Sequence, residues 1–170
     1  MLARTTLFLL SVVVALHARR LHGQEVVASR EPRLQQLVGQ WLITKSTFGM
    51  PADGVPVMFV ATAVADGRAV RSMWTQGRGA TYYEASALWA YSAGSREVRV
   101  FEANTLGVAE THVGGFDSMG VLRMELRDPA TGAIRESRTF TFRGDTILIT
   151  ASFGSGTNAT RHSVTMVRQP

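Results

Sequence analysis

The run "VLRMELR", residues 121–127, alternates apolar and charged side chains without a break, Leu122, Met124 and Leu126 against Arg123, Glu125 and Arg127. Successive side chains of a strand point to opposite faces, so the apolar trio is expected inward and the charged trio in water. Strand-like runs recur near 40–48, 57–65, 68–76, 84–92, 97–104, 107–115, 120–128, 133–143, 145–153 and 160–168, and no long helical period follows Trp41. Turn residues separate them: Asp66-Gly67 in "ADGR", "SAGSR" at 92–96, "DPATG" at 128–132, "RGD" at 143–145 and a looser "FGSGTN" at 153–158. "RGD" is read here as a hairpin turn and not as an adhesion motif. Antiparallel strands joined by such short links form a meander, whose two open edges vanish when the sheet closes on itself. The expected fold is all-β, an antiparallel up-and-down barrel of about 8–10 strands, a size that packs its interior with side chains or holds one small ligand.

Ahead of the first strand, "EPRLQQLVG" (31–39) predicts a short helix that closes one end of the barrel. Pro32 suits its first turn, Leu34, Leu37 and Val38 share a side, and Gly39 stops it. Trp41 then offers a large apolar plug for the closed end.

The strand "AIRESRTFTFR" (133–143) has one wholly polar face, Arg135, Ser137, Thr139, Thr141 and Arg143. Unbroken alternation sends Glu136 and Arg138 inward together with Ile134, Phe140 and Phe142. Buried charges need partners: each other, neighbouring strands, or a polar group of a ligand. A register-shifting bulge, or a place at the wet barrel mouth, is the alternative to a lumenal role. Aromatic and methionine side chains gather elsewhere, at Phe48, Met50, Met58, Phe59, Met73, Trp74, Tyr82, Tyr83, Trp89, Tyr91 and Phe101. They suit either an apolar ligand lining or a filled core. The candidate ligand-binding residues are Arg138, Glu136, Phe140, Phe142, Met124, Trp89 and Trp74.

The first 24 residues differ from the rest. Arg4 precedes "TTLFLLSVVVAL" (5–16), an apolar run short for a bilayer span and the right length for a signal-peptide core. Cleavage is expected after Ala18 or Gly23, with an uncleaved anchor as the alternative. The organisation is then leader 1–24, flexible lead-in 25–32 and barrel 33–170, with no stable membrane span once the leader is removed. Of 18 basic and 13 acidic residues, Arg4, Arg19 and Arg20 go with the leader, leaving 15 against 13, a net +2. Such a balance gives no reason to expect a nucleic-acid partner. Cysteine is absent, which excludes disulfides, thiolate metal sites and cysteine nucleophiles.

Recognisable catalytic chemistry is sparse. Beyond the leader only His112 and His162 remain, and no close-spaced metal motif joins them. Glu110 and His112, two apart, share a strand face, as on many ordinary strands, so neither a metal nor a cofactor is expected. No G-x-S-x-G elbow, phosphate loop or dinucleotide fingerprint occurs, and no catalytic residue is marked out.

"LVGQW" (37–41) resembles the Gly-x-Trp entrance of lipocalin-like barrels. "LWAYSAGSREVRVFEANTLG" (88–107), "GGFDSMGVLRMELRDPATG" (114–132) and "RHSVTMVRQ" (161–169) extend the likeness to a family of bacterial secreted proteins with a lipocalin-like (calycin-type) domain of unknown function. The resemblance implies a barrel whose structural residues include Gly39 and Trp41 at the entrance. It also implies a tight turn at Phe116-Asp117-Ser118-Met119-Gly120, with Asp117 capping it and Gly120 at positive φ. The resulting expectation is a secreted or periplasmic bacterial barrel that binds a small apolar or amphipathic molecule in its lumen. The alternatives are a structural or interaction module with a filled core and, third, a barrel enzyme.

Overall fold

The computed structural model describes residues 28–48, 55–154 and 159–170. The leader, Met50 and the centre of the "FGSGTN" turn lie outside the described residues. Strand β1 (Ala28–Ser29) is a two-residue piece lying along β5. The barrel is built from β2 (Gly39–Ser46), β3 (Met58–Val64), β4 (Ala69–Gln76), β5 (Tyr83–Ser92), β6 (Glu97–Asn104), β7 (Ala109–Phe116), β8 (Leu122–Arg127), β9 (Ile134–Arg143), β10 (Thr146–Phe153) and β11 (Thr160–Arg168). Each strand pairs antiparallel with the next, and β11 returns to pair with β2, so ten strands close without an edge. Strand limits fall within two residues of those read from alternation and turn chemistry.

One side of every strand faces a common core. Trp41 and Ile43, Phe59 and Ala61, Val70, Ala87 and Trp89, Val98 and Val100, Leu122 and Met124, Phe140, Ile147, Val164 and Met166 belong to a single buried cluster. The register joins them across the wall, for example Trp41 to Phe59 to Trp74 and Met124 to Arg138 to Ala151. Several aromatic and methionine positions fall on the other face: Phe48, Met73, Tyr82 and Phe101 are exposed.

The expected short helix is a single 3-10 turn, Leu34–Leu37, and among the described residues the helical pieces are all 3-10 turns. One turn is enough because only Leu34 and Leu37 enter the core, and Gly39 breaks the chain into β2 at φ +140. The Trp41 indole Nε1–H donates to the Leu37 carbonyl at 2.8 Å. Arg168, paired with Trp41 across the β11–β2 seam, lays its guanidinium 4.1 Å from the indole centroid. It donates to the carbonyls of Val38 at 2.6 Å and Gln36 at 3.2 Å. A Cβ on Gly39 would lie 2.3 Å from the Arg168 Nη1, so glycine serves both the backbone angle and the arginine's access. The residues before the turn are also laid on the barrel: Glu31 is buried, forks onto Arg33 at 2.8 Å, and Arg33 stacks 4.4 Å from the Phe116 centroid.

The opposite end is looser. The β2–β3 ladder stops at Leu42–Met58, with one further bond from the Ile43 N–H to the Val57 carbonyl, while β2 continues along β11 to Ser46.

Arg168→Ala is expected to lower stability by about 2 kcal/mol in urea unfolding, since it strips two carbonyl hydrogen bonds and the indole stack together. Arg168→Lys should recover less than half of that, because an ammonium cannot fork to two carbonyls while lying on a ring.

Candidate functional site

Inward-facing polar residues collect at the looser end. On β6 the alternation of "EVRVFEAN" turns Glu102 to the same side as Val98 and Val100. Glu102 pairs directly with Glu110 of β7, and His112 follows two residues later on the same face. On β9, Glu136 and Arg138 share the face of Phe140; their β8 partners are Leu126 and Met124, both buried. A register shift after Leu126 falls just beyond this level and leaves Glu136 and Arg138 inward. Two of the neighbouring inward positions, Ala87 and Ala151, carry only methyl groups.

Arg138 is the hub. It forks onto Glu136 through Nε and Nη2, and its Nη1 reaches Glu102 at 2.8 Å. Burial alone would push its pKa down, but the Glu136 hydrogen bonds and the charges of Glu102 and Glu136 outweigh it, and the net shift is upward. Glu110 is met from the rim by Arg135 at 3.6 Å, a half-exposed side chain in a looser contact. Glu102 and Glu110 stand opposite each other, a like-charge pair that destabilises a sheet and that a nearby cation relieves. Two carboxylates thus meet one inward guanidinium, with Glu110 beside them, and the local charge is negative.

His112 is the exception to the pairing. It is 2 % exposed, and neither ring nitrogen has a hydrogen-bond partner. A buried polar group left in that state costs roughly 1–3 kcal/mol. One ligand atom each from Glu110, His112 and Glu136 can be chosen with all three within 4.8 Å of one another. Burial lowers the His112 pKa and the Arg138 charge adds to this; Glu136 and Glu102 act the other way. The imidazole is therefore neutral near pH 7, with a lone pair available. Tyr83 joins the group electrostatically: burial, then the Glu102 charge, raise its pKa.

Of the residues singled out from sequence, Glu136 and Arg138 lie in this cluster. Met124, Trp89 and Phe140 are buried in the main core, where the Trp89 and Phe140 rings meet edge-on at 5.4 Å and the indole donates to Ser72 at 2.8 Å. Trp74 and Phe142 pack partly buried against that core. Gly39 and Trp41 sit at the closed end. Asp117 accepts the N–H groups of Met119 and Val121 at 2.9 and 3.0 Å, and Gly120 has φ +77. Sequence reasoning paired Glu110 with His112 but did not bring Glu136 to them, nor Glu102 to Arg138. The inward alternation of β6 was the available signal for Glu102.

Arg138→Ala leaves Glu136 buried without its partner and should destabilise the barrel by about 3–5 kcal/mol, whereas Glu102→Gln, which leaves the fork intact, should cost about 1 kcal/mol in the same denaturant titration. The lowered pKa of His112 has a pH signature. The unfolded imidazole takes its proton near pH 6.5 and the folded one lower, so stability is complete above about 6.5 and falls as the pH drops toward the folded value. Glu110, Glu136, Glu102 and Arg138 are the charged groups facing it. Against His112→Gln, the wild-type protein should lose midpoint between pH 7 and 5. The carboxylates with lowered pKa values, Asp117, Asp128 and Glu31, contribute stability that is lost only below about pH 4.5 and does not blur this window.

No protein-family model matches the chain, and no curated protein matches it. Among solved structures, the chain is similar to the crystal structure of Rv2717c from M. tuberculosis, with 18 % identity and a TM-score of 0.58, covering 84 % of this chain and 100 % of that one. At that identity the likeness concerns the fold alone, and it supports the β-barrel architecture described above.

Proposed function

We propose that this chain is an exported, lipocalin-like (calycin-type) bacterial barrel that binds a small molecule at its looser end without transforming it. The observation that carries the reading is the cluster of Glu102, Glu110, Glu136 and Arg138 around an unpartnered, buried His112. A fold that needed only stability would fill this level with apolar side chains. The two methyl-bearing positions beside it favour a ligand at this end.

The charge of the cluster sets the ligand's chemistry. Arg138 is engaged by Glu136 and Glu102, so it is poorly disposed toward an acidic head group. The surplus carboxylate charge and the imidazole lone pair suit a cationic or hydrogen-bond-donating group, with any apolar portion directed toward Trp74 and the near side of the core. Export rests on the apolar run at 5–16 and the residues around it. A second reading, an interaction module with a filled core, draws on the tight packing of Trp89, Phe140 and Met124 in the main cluster.

Titration with a fluorescent alkylammonium probe and with a fluorescent fatty acid tests both, alongside mass spectrometry of whatever leaves the protein on denaturation after isolation from its own source. Saturable alkylammonium binding, weakened about tenfold in Glu102→Gln, is the expected result. Tighter fatty-acid binding would instead assign an acidic head group to Arg138. Binding of neither probe, with nothing released, would leave the filled-core module.

A further inference from the structure

We infer that Glu110, His112 and Glu136 form a binding site for one divalent first-row transition-metal ion, held inside the looser end of the barrel. The inference deepens the reading above and rests on the same cluster, but names a cation in place of an organic head group.

The donors come from two strands separated by a third. Glu110 and His112 project from β7 two residues apart, and Glu136 comes from β9, where it pairs with Leu126 of the intervening β8. Their ligand atoms lie within 4.8 Å of one another. In a tetrahedral zinc site with ~2.0–2.1 Å bonds the donor atoms stand ~3.3 Å apart, so small side-chain rotations bring the three together. The donor set is one imidazole and two carboxylates, which suits zinc and its neighbours and ill suits calcium or magnesium.

The second observation is independent of the acidic cluster. His112 is buried in contact with no hydrogen-bond partner on either nitrogen. Inside a β-barrel such a ring is normally tethered through one nitrogen, and a metal on the other would remove the cost of the unpaired lone pair. The surrounding charges are those of a metal site's outer layer. Arg138 donates to Glu136 and orients it, Arg135 stands by Glu110, and Glu102 adds a further negative charge close by. Three protein donors would leave a fourth position for a water or ligand atom.

The test uses the folded chain stripped with chelator, then dialysed against Zn2+ with metal counted by mass spectrometry, and Co2+ as a spectroscopic probe. One equivalent of Zn2+ and a visible Co2+ absorption band of a site with a nitrogen donor are expected. His112→Gln and Glu110→Gln should each weaken Zn2+ at least tenfold, while His162→Gln should not. Glu110 is partly exposed, so its variant keeps the fold if the His112 variant does not, and circular dichroism checks both. No stoichiometric uptake of Zn2+, Co2+ or Mn2+, or uptake unchanged in the two variants, overturns the inference. A barrel that takes no metal yet still binds the alkylammonium probe sinks this inference alone; one that takes metal and neither organic probe sinks the wider reading alone.

Discussion

The seam where the last strand meets the first holds the rest of the molecule in place. A ten-strand meander is an open sheet until β11 pairs with β2, and that pairing spans more than a hundred residues of chain. Loop-closure entropy opposes it and no short turn enforces it. Trp41 and Arg168 supply the local reward. They are register partners, they stack, and the same arginine ties down the carbonyls of the turn whose leucines cap the core. One cluster thus joins the chain's entrance, its exit and the closed end, and Gly39 is required because any side chain there would occupy the guanidinium's place.

With that end sealed by apolar side chains, the barrel interior becomes graded. The level near Trp41 is apolar and packed; the level of Glu102, Glu110, His112, Glu136 and Arg138 is charged. Along β9 the change happens within a few residues, from Glu136 and Arg138 to Phe140 and Phe142, on one face of one strand. Arg138 holds the charged level together because it meets carboxylates on both its own strand and β6.

Much of this was legible beforehand. Period-two alternation and turn residues located ten strands to within two residues, since a strand's faces are fixed by geometry alone. The inward turn of Glu136 and Arg138 followed from the unbroken polar face beside them. Other features were hidden because they depend on contacts across the barrel. The Leu34–Leu37 segment has helix-like leucine spacing, but one 3-10 turn suffices to deliver both leucines. Met73 and Phe101 read as interior by composition and lie outside by register, opposite Ser86 and Leu88. The partnership of Arg138 with Glu102 joins residues 36 apart, and no local pattern announces it.

The charged level raises a question of purpose. Replacing a buried ionic cluster by apolar residues of similar volume is often neutral or stabilising, so stability does not account for three carboxylates, a guanidinium and an imidazole in a barrel's wall. Specifying the register does not account for it either, because the apolar alternation on every strand already does so. His112 sharpens the point. A structural histidine would be expected to spend its nitrogens on neighbours, yet both are free although carboxylate oxygens approach within 4.8 Å. A donor set that the fold itself does not use is the observation on which the proposed binding site rests.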